Sequence, residues 1–237
     1  MIFHDDCITR MQKLIDLGVK VDAIITDPPY EIDYAEWDNK LDWKELFSLF
    51  DKITKDNANL IIFQGWSSVS NTISNIPSNM TLKNWIIYDR IKGRGAKTNL
   101  VSTREDILWI TKGETTYNKI PSNIKKKTGG LGQKNGCEYR ALSNVWTDIS
   151  PIVPWSKERV SHPTQKPLQL MERCVNIWTN KNDLILDPFM GSGTTLVAAK
   201  KLDRDYIGIE RNRDYFELAK ERISAQSVPK EYQPSII

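Results

Sequence analysis

The chain has 237 residues, 40% hydrophobic and 27% charged, with twelve Gly and eleven Pro, which fits one large domain or a core with a small insertion and excludes a disordered chain, a collagen-like repeat and a coiled coil. No apolar run approaches the roughly 18 residues of a membrane helix, and the acidic start His4-Asp5-Asp6 lacks the basic region of a signal peptide, so the protein is expected in the cytoplasm. The net charge is only +3, but residues 89 to 134 hold eleven Lys/Arg against four Asp/Glu, so this stretch carries +7 and the remainder −4; a basic middle on a mildly acidic body suits contact with phosphate by one face.

Met1 to His4 reads as a first strand. Ile8, Met11, Leu14, Ile15 and Leu17 follow at helical spacing and Gly18 ends that helix. Val21 to Thr26 is a buried strand running straight into Asp27-Pro28-Pro29-Tyr30. A helix over Leu41–Ile53 precedes a strand at Leu60–Phe63, and two more strands, Trp85–Tyr88 and Ile107–Ile110, bracket the loop Lys92–Lys97. Residues 112–160 show weak periodicity and many Gly and Pro, and are expected to form an irregular insertion. Pro167 opens a helix carrying Leu168, Met171, Val175 and Trp178. Leu184–Leu186 is a strand, Thr194–Lys201 a helix, Tyr206–Ile209 a strand ending in Glu210, and Asn212 caps a last helix. Strands alternating with helices predict an α/β, doubly wound, mostly parallel sheet with helices on both faces. The core is expected over 1–88 and 161–237, with 89–160 a basic recognition region that contributes part of the sheet.

Two loops carry the chemistry. Gly191-Ser192-Gly193 lies between a strand and a helix, where glycine lets backbone approach a ligand. The next strand ends in Glu210, placed to hold both hydroxyls of a ribose. The pair reads as a nucleoside-cofactor site; it is neither a dinucleotide fingerprint, lacking the third glycine, nor a P-loop, lacking the lysine. In the first loop, Pro28 and Pro29 fix the backbone. The Pro28 carbonyl and the Asp27 carboxylate are acceptors beside the flat face of Tyr30, a set suited to a planar group bearing an amino, such as a nucleobase edge. Taken alone, the same loop could be a rigid turn with a buried tyrosine. Dispersed cysteines (Cys7, Cys137, Cys174) and only two histidines (His4, His162) argue against a disulfide framework and against a metal site.

Asp27-Pro28-Pro29-Tyr30 together with Asp187-Pro188-Phe189-Met190-Gly191-Ser192-Gly193 resembles the signature of the amino-group DNA methyltransferases that use S-adenosylmethionine, and the order of the loops resembles their β class. Asp5-Asp6-Cys7, Asn144-Val145-Trp146 and His162-Pro163-Thr164-Gln165-Lys166-Pro167 are similar to further family motifs, with His-Asp standing before the first where the family has Gly. The resemblance implies a Rossmann-like fold of circularly permuted motif order, in which the strand before Asp187 lies beside the strand before Asp27. It implies that Asp187, Phe189, Gly191 and Gly193 line the methionine end of S-adenosylmethionine, that Glu210 holds its ribose, that Asp6 and Cys7 meet its adenine, and that Thr164 and Lys166 lie near its carboxylate. Asp27, Pro28, Pro29 and Tyr30 would then hold a base flipped out of double-stranded DNA. Asp in the first position of that loop favours N6 of adenine over N4 of cytosine. Arg90, Lys92, Arg94, Lys97, Arg104, Lys125, Lys126 and Lys127 are the candidates for DNA contact, and Trp146 and Trp155 are read either as wedges into the base stack or as packing for the insertion. A homodimer and a cognate restriction endonuclease are partners such relatives have; an RNA amino methyltransferase and a non-catalytic DNA-binding relative are the competing readings.

Overall fold

Ile24 and Ile25, and Leu60 through Phe63, are all completely buried, yet successive strand residues point to opposite faces. Ile24, Leu60 and Ile62 join one apolar cluster, whereas Ile25, Ile61 and Phe63 join another. Strands buried on both sides need helices on both sides. The computed structural model, which describes residues 1–30, 41–94, 100–125 and 139–226, has both layers.

The elements in chain order are β1 (Ile2–His4), α1 (Cys7–Asp16), β2 (Val21–Thr26), α2 (Trp43–Ile53), β3 (Thr54–Gln64), α3 (Val69–Ser74), β4 (Thr81–Arg94), β5 (Ser102–Lys112), β6 (Pro121–Lys125), β7 (Tyr139–Ala141), β8 (Val145–Trp146), α4 (Leu168–Trp178), β9 (Leu184–Asp187), α5 (Thr194–Lys201), β10 (Asp205–Glu210) and α6 (Arg213–Ala225). Helices α1, α2 and α3 pack on one face of the sheet through residues such as Met11, Phe50 and Val69. On the other face, α4 and α5 bring Leu170, Val175 and Ala198. Helix α6 closes a third, smaller cluster with Ala219 and Ile223.

Eight strands form one sheet in the order β1-β10-β9-β2-β3-β5-β4-β8. From β1 to β3 all neighbours are parallel, and β9 lies beside β2 with Ala23 opposite Ile185 and Ile24 opposite Leu186. The chain leaves β2 toward β3 on one side and leaves β9 toward β10 on the other. This is a topological switch point, where such sheets bind ligands outside the carboxyl ends of the strands. The sheet is mixed: β5 is antiparallel to β3 and β4, and for β4 the connection from Arg94 to Ser102 is too short for a parallel crossover.

Boundaries follow local chemistry. The Asp6 carboxylate caps α1 by accepting from the Thr9 N–H at 3.1 Å, and Gly18, at φ 74°, ends it. Asp42, Leu41's neighbour, caps α2 at 3.0 Å from the Glu45 N–H, which moves the helix start to Trp43. Asn212 caps α6 with bonds of 2.9 and 3.1 Å from Asp214 and Tyr215. The described residues between 112 and 160 are less irregular than their composition predicts. β6 and β7 pair with one another, and β8 adds to the edge of the main sheet beside β4. Trp146 is buried; its indole N–H donates to the Ser143 carbonyl at 2.7 Å and its ring stacks on Trp178. It therefore packs this segment onto the body and is not a wedge. Trp155, by contrast, is 78% exposed. Beneath the same segment, Arg173 of α4 makes a bidentate pair with Asp148 at 2.8 and 2.7 Å, both side chains buried.

Candidate active site

Both chemistry-bearing loops leave the sheet at the switch point, one from β2 and one from β9. A hydrogen bond joins them: the Thr26 hydroxyl donates to Asp187 Oδ1 at 2.7 Å, fully buried. Sequence reasoning did not single out Thr26. Its one signal is a polar residue closing an otherwise apolar buried strand. Asp187 also accepts from the Phe189 N–H at 3.1 Å. Burial is the main cause that pushes the Asp187 carboxyl up to about 7, and the charge of Asp27 adds to it; hydrogen bonds from Thr195, Thr26 and Phe189 pull the other way.

The glycine loop behaves as two different devices. Gly191 (φ 49°) lies under the His162 ring, so that a Cβ there would come within 3.0 Å of Nε2. Its N–H donates to Glu210 Oε2 at 2.9 Å, while Glu210 Oε1 accepts from the Asn212 N–H at 2.7 Å. Burial raises the Glu210 carboxyl above its usual range despite these bonds. Gly193, expected at the cofactor, does not line the cavity. It sits at φ 77° with its missing Cβ 2.9 Å from the Ala219 Cβ, so glycine is required there by the close approach of α6. His162 packs edge-on against Tyr215, ring centroids 4.3 Å apart. Burial, helped by the charges of Lys166 and Arg222, lowers its imidazole to about 4 and keeps it neutral near pH 7.

Two cavities flank the loops. The first, about 390 Å³, is lined by Asp6, Cys7, Asp187, Phe189, Gly191 and Glu210 among others. The second, about 320 Å³, is lined by Pro28, Tyr30, Gly65, Tyr88, Arg90 and Glu105 among others. Asp27, Pro29, His162, Thr164, Gln165 and Lys166 line both and form the wall between them. Tyr30 lies against Gly65, where a Cβ would come within 3.3 Å of the tyrosine.

At this wall both oxygens of Asp27 are engaged. The Tyr30 hydroxyl donates to Oδ1 at 2.7 Å and the Lys166 ammonium donates to Oδ2 at 2.5 Å. Lys166 is 7% exposed and also lies 3.4 Å from Glu105 Oε2. Burial alone would lower its pKa; the carboxylates of Asp27 and Glu105 outweigh that and hold it above the ordinary value. Lys166, expected near a cofactor carboxylate, lines the first cavity and is paired with Asp27 in this structure. Thr164 stays on the wall of both cavities. Glu105 was not among the residues singled out, being hidden in the middle of a strand read as structural.

The basic candidates divide. Arg90 reaches the Ser102 carbonyl at 3.1 Å and Glu105 Oε1 at 3.4 Å, and Arg104 pairs with Asp106 at 3.1 Å; both line the second cavity. Lys92 and Arg94 fall in β4 and Lys125 in β6. Lys97, Lys126 and Lys127 lie outside the described residues.

The first cavity fits S-adenosylmethionine by its donor set. Glu210 and Asp6 are carboxylates suited to hydroxyl and amino donors, Asp187 is suited to an ammonium, and Phe189 supplies an apolar surface. Among the described residues no group of His, Cys, Asp and Glu is placed to hold a metal ion, and no helix is long and apolar enough to cross a membrane.

Comparison with known proteins agrees with this geometry. A family model described as DNA methylase, for N6 and N4 amino methyltransferases, matches residues 21–221. The type II methyltransferase M.HpaI of Haemophilus parainfluenzae is 31% identical over 217 residues, covering 87% of this chain and 69% of that protein. The DNA adenine methyltransferase YhdJ of Escherichia coli is 32% identical over 252 residues, covering 95% and 83%. Among solved structures, a complex of M1.HpyAVI with SAM is 33% identical with a TM-score of 0.69, covering 94% of this chain and 98% of that one. The PvuII cytosine-N4-specific methyltransferase, 16% identical with a TM-score of 0.65, shares the fold. The chain therefore belongs to the N6/N4 family of S-adenosylmethionine-dependent DNA methyltransferases.

Proposed function

We propose that the protein transfers a methyl group to the N6 amino group of an adenine flipped out of double-stranded DNA. The observation that carries this reading is that Asp27 stands in the wall shared by two cavities, one with the donor set of a nucleoside cofactor and one faced by an aromatic ring. S-Adenosylmethionine supplies the activated methyl when bound. Asp6, Cys7, Phe189, Gly191 and Glu210 would hold it, and Asp187 would meet its ammonium.

The second cavity takes the base, because the target amino group lies inside the duplex until the nucleotide is extruded. Tyr30, backed by Gly65, offers a stacking face. Asp27 and the Pro28 carbonyl each accept one N–H. An exocyclic amino nitrogen has its lone pair delocalised into the ring and is a poor nucleophile. Two in-plane acceptors favour a pyramidal nitrogen with its lone pair directed at the cofactor side of the wall. Alignment across that wall supplies rate by positioning, and the Asp27 carboxylate stabilises the positive charge that grows on nitrogen. Neutral His162 on the same wall adds no opposing charge.

Adenine is favoured over cytosine by the aspartate that opens the Asp27-Pro28-Pro29-Tyr30 loop, and a relative at 32% identity is named an adenine methyltransferase. The region 89–160 is proposed as the target-recognition part, with its lysines on phosphates. The type II methyltransferase names among the relatives support a role beside a restriction endonuclease. The test is nucleoside mass spectrometry on unmethylated DNA incubated with S-adenosylmethionine and either wild type or Asp27→Ala. N6-Methyladenine from the wild type alone is expected. N4-Methylcytosine would reverse the base, and no methylated base across several DNAs would overturn the proposal.

A further inference from the structure

The Asp27 carboxylate is expected to accept from the target amino group, yet both its oxygens already have donors, Tyr30 at 2.7 Å and Lys166 at 2.5 Å. A paired ammonium also opposes the positive charge that must grow on the amino nitrogen. Lys166 has somewhere else to go. Glu105 Oε2 lies 3.4 Å from its Nζ, in ion contact, and this buried oxygen has no hydrogen-bond partner. The other oxygen, Oε1, faces Arg90 at 3.4 Å. A movement of about 0.6 Å would turn the long contact into a charge-assisted hydrogen bond of about 2.8 Å. The same aromatic floor serves both positions, with the Tyr30 and Phe63 rings centred 5.2 and 5.7 Å from Nζ. A buried carboxylate oxygen left without a hydrogen bond is costly, and this one is held within 3.4 Å of the Lys166 ammonium.

We propose that Glu105 is a positioning residue that receives the Lys166 ammonium when the target amino group takes its place on Asp27. The inference rests on the amino-transfer reading above. In the resting site Lys166 neutralises Asp27 and keeps its carboxylate oriented. When the base enters, the ammonium leans toward Glu105, which lengthens its 2.5 Å contact with Asp27 Oδ2 and loosens its hold on that carboxylate. With Glu105 present, the linked charges of Asp27, Glu105, Lys166 and Arg90 cancel; without it they would carry one net positive charge, which opposes a nitrogen becoming cationic.

Two measurements test this. The first is side-chain ¹⁵N NMR of the lysine ammonium groups in the protein without DNA or cofactor, with the Lys166 signal assigned by its loss in Lys166→Arg. A protected Lys166 signal is expected in the wild type, retained in Asp27→Asn, where Glu105 holds the ammonium alone, and lost in Asp27→Asn/Glu105→Gln. Loss of the signal in Asp27→Asn would overturn the proposal. The second is single-turnover methyl transfer to unmethylated DNA. Glu105→Gln, checked for an unchanged melting temperature, is expected to slow the step at least tenfold with KM for S-adenosylmethionine unchanged. In a Lys166→Met background the same change is expected to cost less than twofold. A Glu105→Gln rate within twofold of wild type, or an equal penalty in both backgrounds, would overturn it. A wild type that shows the NMR pattern but methylates no DNA would overturn the amino-transfer reading, and the exchange role with it.

Discussion

Asp187 gives one ionisation two opposite consequences. Its carboxyl is buried, bonded to Thr26 and pushed up to about 7 from an ordinary 3.8, mainly by burial. Between those values the folded protein keeps the proton that the unfolded chain has lost. The stability associated with this group is therefore fully present below 3.8 and is lost as pH rises through about 7. The three-unit difference is worth about 4 kcal/mol at most, since one unit corresponds to about 1.4 kcal/mol. Binding of the cofactor's ammonium has the opposite demand and wants the ionised form. Between pH 5.5 and 7.5 the ionised fraction rises from a few per cent to about three quarters, so affinity for S-adenosylmethionine should tighten roughly 20-fold. Isothermal titration calorimetry across that range measures the gain, and calorimetric melting of the free protein measures the loss. Asp187→Asn should abolish both slopes, binding weakly at every pH while melting higher than wild type at pH 7.5. Glu210, whose carboxyl is also raised by burial, lines the same cavity. A pH-dependent affinity that survives in Asp187→Asn would refute the assignment of the ammonium to Asp187.

Asp27→Ala removes the preorganised acceptor and should slow the chemical step by at least about 3 kcal/mol, more than 100-fold, in single-turnover assays; near-normal turnover would discard the mechanism. Gly193→Ala places a Cβ 2.9 Å from that of Ala219 at a φ of 77° and should cost about 2 kcal/mol or more in denaturant unfolding. Arg173→Met removes both donors of the bidentate pair with the buried Asp148 carboxylate and should cost about 3 kcal/mol by the same assay, with much of it recovered in Arg173→Met/Asp148→Leu. His162, lowered to about 4 by burial and the neighbouring Lys166 and Arg222 charges, should show no ring-proton NMR titration between pH 5.5 and 8; a midpoint inside that range would contradict its placement.

What could be read from the sequence was what repeats locally or carries its own chemistry. The strands of the parallel half follow from apolar runs such as Val21–Thr26, and helix ends from Gly18 and Asn212. The two loops stood out because a strand fed directly into each. Pairings across the sheet were less visible. β5 enters between β3 and β4 because it follows β4 without a helix, and nothing in the local pattern of Ser102–Lys112 announces which neighbour it takes on its other side. β8 has only two residues, too short for any periodicity. At the site, Thr26 and Glu105 escaped because their partners lie 161 and 61 residues away, and the pairing of Lys166 with Asp27 escaped because Asp27 lies 139 residues earlier. Gly193 belonged to a recognisable motif, yet its constraint comes from α6 pressing on the backbone.

The strand order also fixes when the site can come into existence. On a ribosome, β2, β3, β4 and β5 emerge in succession and hold most of each other's hydrogen bonds, so they can zip together from contacts of modest separation. β1 has to wait: Ile2 pairs with Gly208, and Met1 holds Tyr206 and Gly208 through its own backbone. The nucleotide half of the molecule is thus completed only when β10 reaches β1, through contacts such as Met1 to Tyr206, 205 residues apart, which are slow to form. Hydrogen exchange should find β1 and β10 opening before β3 and β5. A bound cofactor, reaching Asp6 and Glu210 at once, would act as the clasp between the first turn of the chain and its final strand.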